Sequence, residues 1–211
     1  MSVTIEEHSD TLFTVVFNSV NRILTTVTSS AADADAWVSE VLRVHRRRLD
    51  TLVVGLDIEW RPNFFRGQQN PAAVLQLCVG RRCLVFQILL AGAVPASLVS
   101  FLGDRRFSFV GVGVEGDVEK LLEDWEVGVG GNMVDLRDAA EKRTGRREMK
   151  QKGLAGLAVE LMGWDVRKPK RVTMGRWDQD VLDLDQIKYA CVDAFLSFEI
   201  GRVLEVWEPL N

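Results

Sequence analysis

The stretch Leu52-Val53-Val54-Gly55-Leu56-Asp57-Ile58-Glu59-Trp60 places two carboxylates, two residues apart, at the end of an apolar run. Read as a buried strand, it sends residues i and i+2 to the same face, so Asp57 and Glu59 project side by side from an otherwise hydrophobic ribbon. Two anions sharing one site repel, and one stays protonated unless something positive lies between them. A divalent metal is the simplest such group. The bland alternative is a strand end at which both carboxylates reach solvent.

The 211 residues, 47% of them hydrophobic, suffice for one generous domain with a single core. No apolar run approaches membrane-spanning length, so a soluble protein is expected. The N-terminal residues Met1-Ser2-Val3-Thr4-Ile5-Glu6-Glu7 lack a basic-then-apolar leader, which argues against export. Cys78, Cys83 and Cys191 are odd in number and lack C-x-x-C spacing, as expected of reduced thiols in the cytoplasm or nucleus. The two histidines, His8 and His45, sit near no other ligand-like cluster and make a zinc site improbable.

The net charge of −4 hides a split. Residues 141–176 hold eleven Lys or Arg, among them Lys150, Lys152, Arg167, Lys168, Arg171 and Arg176, against four acids, which is +7 there and −11 elsewhere. Such a segment suits a phosphate backbone, although a merely solvated loop and helix face fits the charge equally well.

Thr11–Phe17 and Asn21–Thr28 read as strands of a hairpin around Asn18-Ser19-Val20, and Asp33 or Asp35 as the cap of a helix running to His45. After the Asp57 strand, Ala73–Val79 and Cys83–Phe86 continue hairpin-fashion around Gly80-Arg81. The pattern then alternates. Helices are expected over 94–102, 117–125, 136–142, 153–162 and 183–207, with strands over 107–114 and 133–135. Antiparallel strands followed by βαβα imply one α/β domain, a mixed sheet with helices on both faces. The first 50 residues are a strand-rich extension and helix belonging to that domain, and 51–211 carry the functional part.

Two further motifs carry chemistry. Gly111-Val112-Gly113-Val114-Glu115-Gly116 matches G-x-G-x-x-G after a strand and before a helix, with Asp135 downstream, which would suit an NAD-binding oxidoreductase. That reading gives Asp57 and Glu59 no task, and the motif lies behind hairpin strands. The glycines otherwise allow close backbone approach, with Asp117 in the first turn of the next helix. Near the end, Asp183-x-x-Gln186 resembles a capping box, and Tyr189 and Asp193 stand at i and i+4 on one helical face. Asp193 lies among apolar residues, where a carboxylate is costly unless paired or metal-bound. A structural Tyr–Asp pair is the plain alternative.

Taken together, Gly55–Trp60, Val112–Asp117 and Tyr189–Asp193 resemble the DEDDy 3′–5′ exonucleases, the group with RNase D and the Werner-type exonuclease. The stretches Val74-Leu75-Gln76-Leu77 and Gly153-Leu154-Ala155-Gly156-Leu157-Ala158 are similar to the Werner-type branch. The resemblance runs from about Leu52 to Val203. The DEDDh sister group has His five residues before the last Asp, and here that position is Lys188. The resemblance implies an RNase H-like exonuclease fold. It also implies two Mg²⁺ or Mn²⁺ ions held by Asp57, Glu59, Asp117 and Asp193, with Tyr189 acting on the attacking water. Nucleoside 5′-monophosphates would leave from a free 3′ end. Trp60, Lys150, Lys152, Arg171 and Arg176 are candidate substrate contacts, Trp60 by stacking on a base. The single-domain form is most similar to plant Werner-like enzymes, among them the RISC-interacting clearing exoribonucleases. That likeness implies single-stranded RNA as the favoured substrate, a homo-oligomer such as a hexameric ring, and an Argonaute-linked partner. A Werner-like DNA exonuclease is the alternative.

Overall fold

The Leu52–Trp60 run forms β4 (Val53–Trp60), whose residues 53–56 are buried on both sides. It lies near the middle of one mixed sheet in the computed structural model, which describes residues 1–65, 67–166 and 169–208. The other strands are β1 (Val3–Glu7), β2 (Leu12–Phe17), β3 (Asn21–Thr28), β5 (Ala72–Val79), β6 (Arg82–Phe86), β7 (Ser108–Gly111) and β8 (Asn132–Asp135). Their spatial order is β1-β2-β3-β6-β5-β4-β7-β8. Pairing is antiparallel through β1-β2-β3 and β6-β5-β4, and parallel at β3-β6, β4-β7 and β7-β8.

Each parallel step needs a crossover, and the helices supply it. α1 (Ala31–His45) follows β3, while α2 (Ile88–Ala91) and α3 (Ala96–Leu102) lie between β6 and β7. α4 (Val114–Trp125) joins β7 to β8. Then come α5 (Leu136–Thr144), α6 (Leu154–Met162), α7 (Lys170–Thr173) and the long α8 (Leu184–Val203). One hydrophobic core joins α1, α3 and α4 to Val54, Leu56 and Ile58, and the other joins α5, α6 and α8 to Val53, Val74 and Cys78. The alternation along β4 therefore assigns Asp57 and Glu59 to the α8 face.

Several expectations are sharpened or corrected. β1, which the sequence reading left unassigned, extends the sheet edge with only a thin apolar face, Val3 and Ile5. α1 starts earlier than Asp33 or Asp35 would allow. Ser30 caps it, accepting the Asp33 N–H, while Thr28 Oγ1 donates to the Asp33 carboxylate. β7 stops at Gly111 because Gly113, at φ 77°, turns the chain into α4. α8 begins on the expected capping box, Asp183 and Gln186 bonding each other's backbone N–H. It ends at Val203 rather than 207, and Glu205 takes the left-handed φ of 51°. No helix among the described residues is long and apolar enough to cross a membrane. Arg167 and Lys168 of the basic segment, and residues 209–211, lie outside the described residues.

Candidate active site

Glycine at position 55 determines how near the last helix comes to β4. A Cβ there would sit 2.0 Å from the Ala194 carbonyl oxygen and 2.6 Å from the Phe198 nitrogen. One turn further along α8, a Cβ on Gly201 would meet the Val110 and Val53 side chains at 3.0 and 3.1 Å. Helix backbone thus lies almost on strand backbone, and Asp193, beside Ala194, is carried up to the β4 acids. Carboxylate oxygens of Asp57, Glu59 and Asp193 all lie within 4.8 Å of one another. Asp193 is only 3% exposed, Asp57 and Glu59 half-buried.

Asp117 arrives from the other side of the sheet. Gly111 makes a second close crossing, since a Cβ there would lie 2.8 Å from the Leu56 carbonyl oxygen, immediately before Asp57. The chain then turns through Gly113 into α4, whose first turn carries Asp117. Asp117 shares an open cleft of about 360 Å³ with Asp57, Glu59, Trp60 and Tyr189, and Thr173 and Met174 close its far wall. Burial pushes the Asp117 carboxyl up to about 7.

Tyr189 stands between this cleft and a smaller one of about 130 Å³ lined by Val3, Arg171, Lys188 and Asp193. Its ring lies against the buried Trp177, centroids 5.9 Å apart. Burial first, then the charges of Asp193 and Glu59, a hydrogen bond to Asp193 and the charge of Asp57 raise its phenol far above the ordinary value. At neutral pH it is a phenol, donating to the Asp193 carboxylate.

The glycine motif does not make a dinucleotide site. Asp135, the residue that would hold a ribose, accepts the Gly113 N–H at 2.9 Å, caps α5 through the Arg137 N–H and pairs with the Arg137 guanidinium. Nothing lies within 4 Å of a Cβ on Gly116. The two glycines that matter serve close approach and a left-handed turn, and the oxidoreductase expectation is withdrawn.

The remaining sequence-nominated residues have definite places. Trp60 lines the cleft, packs on the α4-side core and holds Lys120 Nζ 5.0 Å above its ring. Lys150 pairs with Asp138 and Glu141, Lys152 with Glu160, Arg171 with Asp185, and Arg176 with Asp178. Gln76, in the Val74–Leu77 stretch, lies directly opposite Asp57 across the β4–β5 pair. It is fully buried, and among the described residues neither amide atom finds a hydrogen-bond partner. The hairpin register was the signal that would have found it.

The donor set is oxygen from carboxylates, which suits Mg²⁺ or Mn²⁺ rather than zinc or copper. Three such groups within 4.8 Å, one of them buried, are costly without a cation among them.

The model of a 3′–5′ exonuclease domain matches residues 25–206. The chain belongs to the 3′–5′ exonuclease family. A 3′–5′ exonuclease of Arabidopsis thaliana is 35% identical over 87% of this chain and 64% of its own length. The Mus musculus bifunctional 3′–5′ exonuclease/ATP-dependent helicase WRN is 34% identical over 76% of this chain and 11% of its own. This family member thus spans less than two thirds of those relatives. Among solved structures, Escherichia coli RNase D, an exoribonuclease involved in structured RNA processing, has a TM-score of 0.66 over 87% of this chain and 44% of its own. At 19% identity that likeness is one of fold, and the RNase H-like exonuclease architecture expected from the sequence is the one found.

Proposed function

We propose that this chain is a metal-dependent 3′–5′ exonuclease of the DEDDy type, releasing nucleoside 5′-monophosphates from single-stranded nucleic acid. The observation that carries the reading is the convergence of Asp57, Glu59 and Asp193 oxygens within 4.8 Å, with Asp117 in the same cleft. Asp57, Glu59 and Asp193 would hold one Mg²⁺ or Mn²⁺, and Asp57 with Asp117 a second. When bound, the ions supply Lewis-acid activation of water and charge neutralisation at the scissile phosphate.

The chain's own residues do the rest. Tyr189 donates from its hydroxyl to the Asp193 carboxylate, which places it to orient Asp193 and the attacking water. Trp60 and Met174 form an apolar wall on which a terminal base can rest while the acids face the phosphate. Lys188, at the position that distinguishes the histidine-bearing sister group, is paired with Asp185.

RNA is the substrate we favour over DNA, with a homo-oligomer, including a hexameric ring, and an Argonaute-linked role as the biological setting. These rest on the likeness to small plant Werner-type enzymes, and cytoplasmic or nuclear residence goes with them. The test is incubation of matched 3′- and 5′-labelled RNA and DNA oligonucleotides with Mg²⁺, for wild type, Asp57→Ala and Tyr189→Phe. Asp57→Ala is expected to abolish mononucleotide release, and Tyr189→Phe to slow turnover while leaving Mn²⁺ binding nearly intact. Wild-type degradation by Asp57→Ala would refute the metal-centre assignment, and wild-type turnover by Tyr189→Phe would remove the tyrosine's role.

A further inference from the structure

The segment richest in basic residues turns out to spend its charge on its own neighbours. Of its nine described Lys and Arg, the eleven less Arg167 and Lys168, six are paired with carboxylates, Arg143 and Arg146 joining the four named above. The opposite holds at the C-terminal end of α1. Arg46, Arg47 and Arg48 are exposed, and among the described residues none of the three has a carboxylate within ion-pairing distance. Two of the nearby acids are already taken. Glu40 holds Arg43 and Arg82, and Glu199 holds Arg81 and Arg202. A helix C-terminus attracts cations within its last turn, which accounts for Arg43 but not for three guanidinium groups beyond it.

His45 gives the patch a direction. The residue is 6% exposed, and burial, then the charges of Arg48 and Arg82, hold its imidazole below the ordinary value. The ring is therefore neutral at neutral pH. Its Nδ1 accepts from Arg48 Nε at 3.3 Å, so the single ring proton resides on Nε2. That Nε2 is buried and has no hydrogen-bond partner among the described residues. His45 and Arg48 line two neighbouring depressions. One, of about 140 Å³, is walled by Val53, Val79, Phe198 and Trp207 with Arg48 and Arg202, and the other is a shallow cleft over Arg46–Arg48. The charged groups offered there, Arg48 and Arg202 with Arg46 and Arg47 alongside, are all guanidinium donors, with the Thr51 hydroxyl beside them, so an oxyanion is the fitting ligand.

We propose that this end of the molecule is a second contact for the substrate strand, in which Arg46, Arg47 and Arg48 receive backbone phosphates away from the site of cleavage. The proposal rests on the exonuclease reading. Val53 opens β4 and the acids lie four to six residues on, so the two sites are about 13–20 Å apart along the strand. At about 3.4 Å per phosphate, a bound strand needs about four to six phosphate steps, hence about five to seven nucleotides, to touch both.

The test is fluorescence anisotropy in EDTA, where nothing is cleaved, with labelled single strands of about four and about twenty nucleotides over a fourfold range of salt. The variant combines Arg46→Gln, Arg47→Gln and Arg48→Gln, with Arg47→Gln/Arg48→Gln as a milder form. A control of equal charge combines Arg22→Gln, Arg143→Gln and Arg146→Gln, each ion-paired at the surface. Loss of three phosphate contacts lowers the salt slope for the long strand by about two units, about an eighteenfold difference in salt response over that range. Binding of the short strand is expected to stay unchanged, and the control to move the slope by less than half as much. An unchanged slope in the Arg46–Arg48 variant, an equal loss for the short strand, or an equal effect of the control would each overturn the proposal. A protein that binds in this way yet cleaves nothing in Mg²⁺ would instead refute the exonuclease reading.

Discussion

Gly55→Ala tests whether the site depends on backbone contact between α8 and β4. The added methyl would lie 2.0 Å from the Ala194 carbonyl oxygen, where real Cβ contacts essentially never fall below 3.0 Å, so the helix must retreat by about 1 Å. No flexible side-chain end is available to yield, because both opposing atoms are helix backbone. Overpacking of this kind costs about 1–3 kcal/mol, which lowers the melting temperature by about 2–12 °C in a chain of this size. The same shift carries Asp193 away from Asp57 and Glu59, and a displacement of about 1 Å at a reacting centre costs about a hundredfold in rate. Thermal denaturation, Mn²⁺ binding by calorimetry and mononucleotide release should therefore fall together. Gly116→Ala is the matched control. It lies in α4 with nothing within 4 Å of the new methyl, and should stabilise by about 0.5–1 kcal/mol without loss of rate. A Gly55→Ala protein with unchanged melting and wild-type rate would refute the argument.

Other outcomes follow from single contacts. Ser30→Ala removes the α1 cap and should cost about 1 kcal/mol, read as a melting temperature lower by about 2–4 °C. Gln76→Leu replaces a buried amide without partners by an apolar group of similar size, so chemical denaturation should show a gain of about 1–3 kcal/mol, and a loss would mean that the amide is bonded. His45 carries the pH dependence. Its folded value lies below the ordinary 6.5, so as pH drops through 6.5 the unfolded chain binds a proton that the native state refuses. Its stabilising share is complete above 6.5 and declines between there and the folded value. The melting temperature should accordingly fall more between about pH 7.5 and about pH 5.5 in wild type than in His45→Gln.

The parts of the molecule legible in the sequence are those written in periodicity. Alternation in β4 and the continuous apolar runs of β5 and β6 gave the central strands, and Asp183-x-x-Gln186 gave the start of α8. The acids could be nominated because a carboxylate in apolar company demands a reason, as Asp57 and Asp193 do. Distance was not legible. Whether Asp193 reaches Asp57 depends on a missing side chain at Gly55, and a lone glycine in a strand carries no statement about which helix will lie on it. Charge pairing was equally hidden, because Lys150 and Glu141 or Lys152 and Glu160 meet only after the chain has folded. β1 escaped notice because an edge strand needs just Val3 and Ile5 to hold it.

The order in which the acids occur along the chain has a consequence for biosynthesis. Chains emerge N-terminus first, so Asp57, Glu59 and Asp117 leave the ribosome long before Asp193, the acid that helix α8 lays over them. A nascent chain that ends before Leu184 lacks Asp193 and so does not hold the three converging carboxylates. Translation arrested at that length in a cell-free system, followed by assay of the ribosome-bound chain, should find no exonuclease activity.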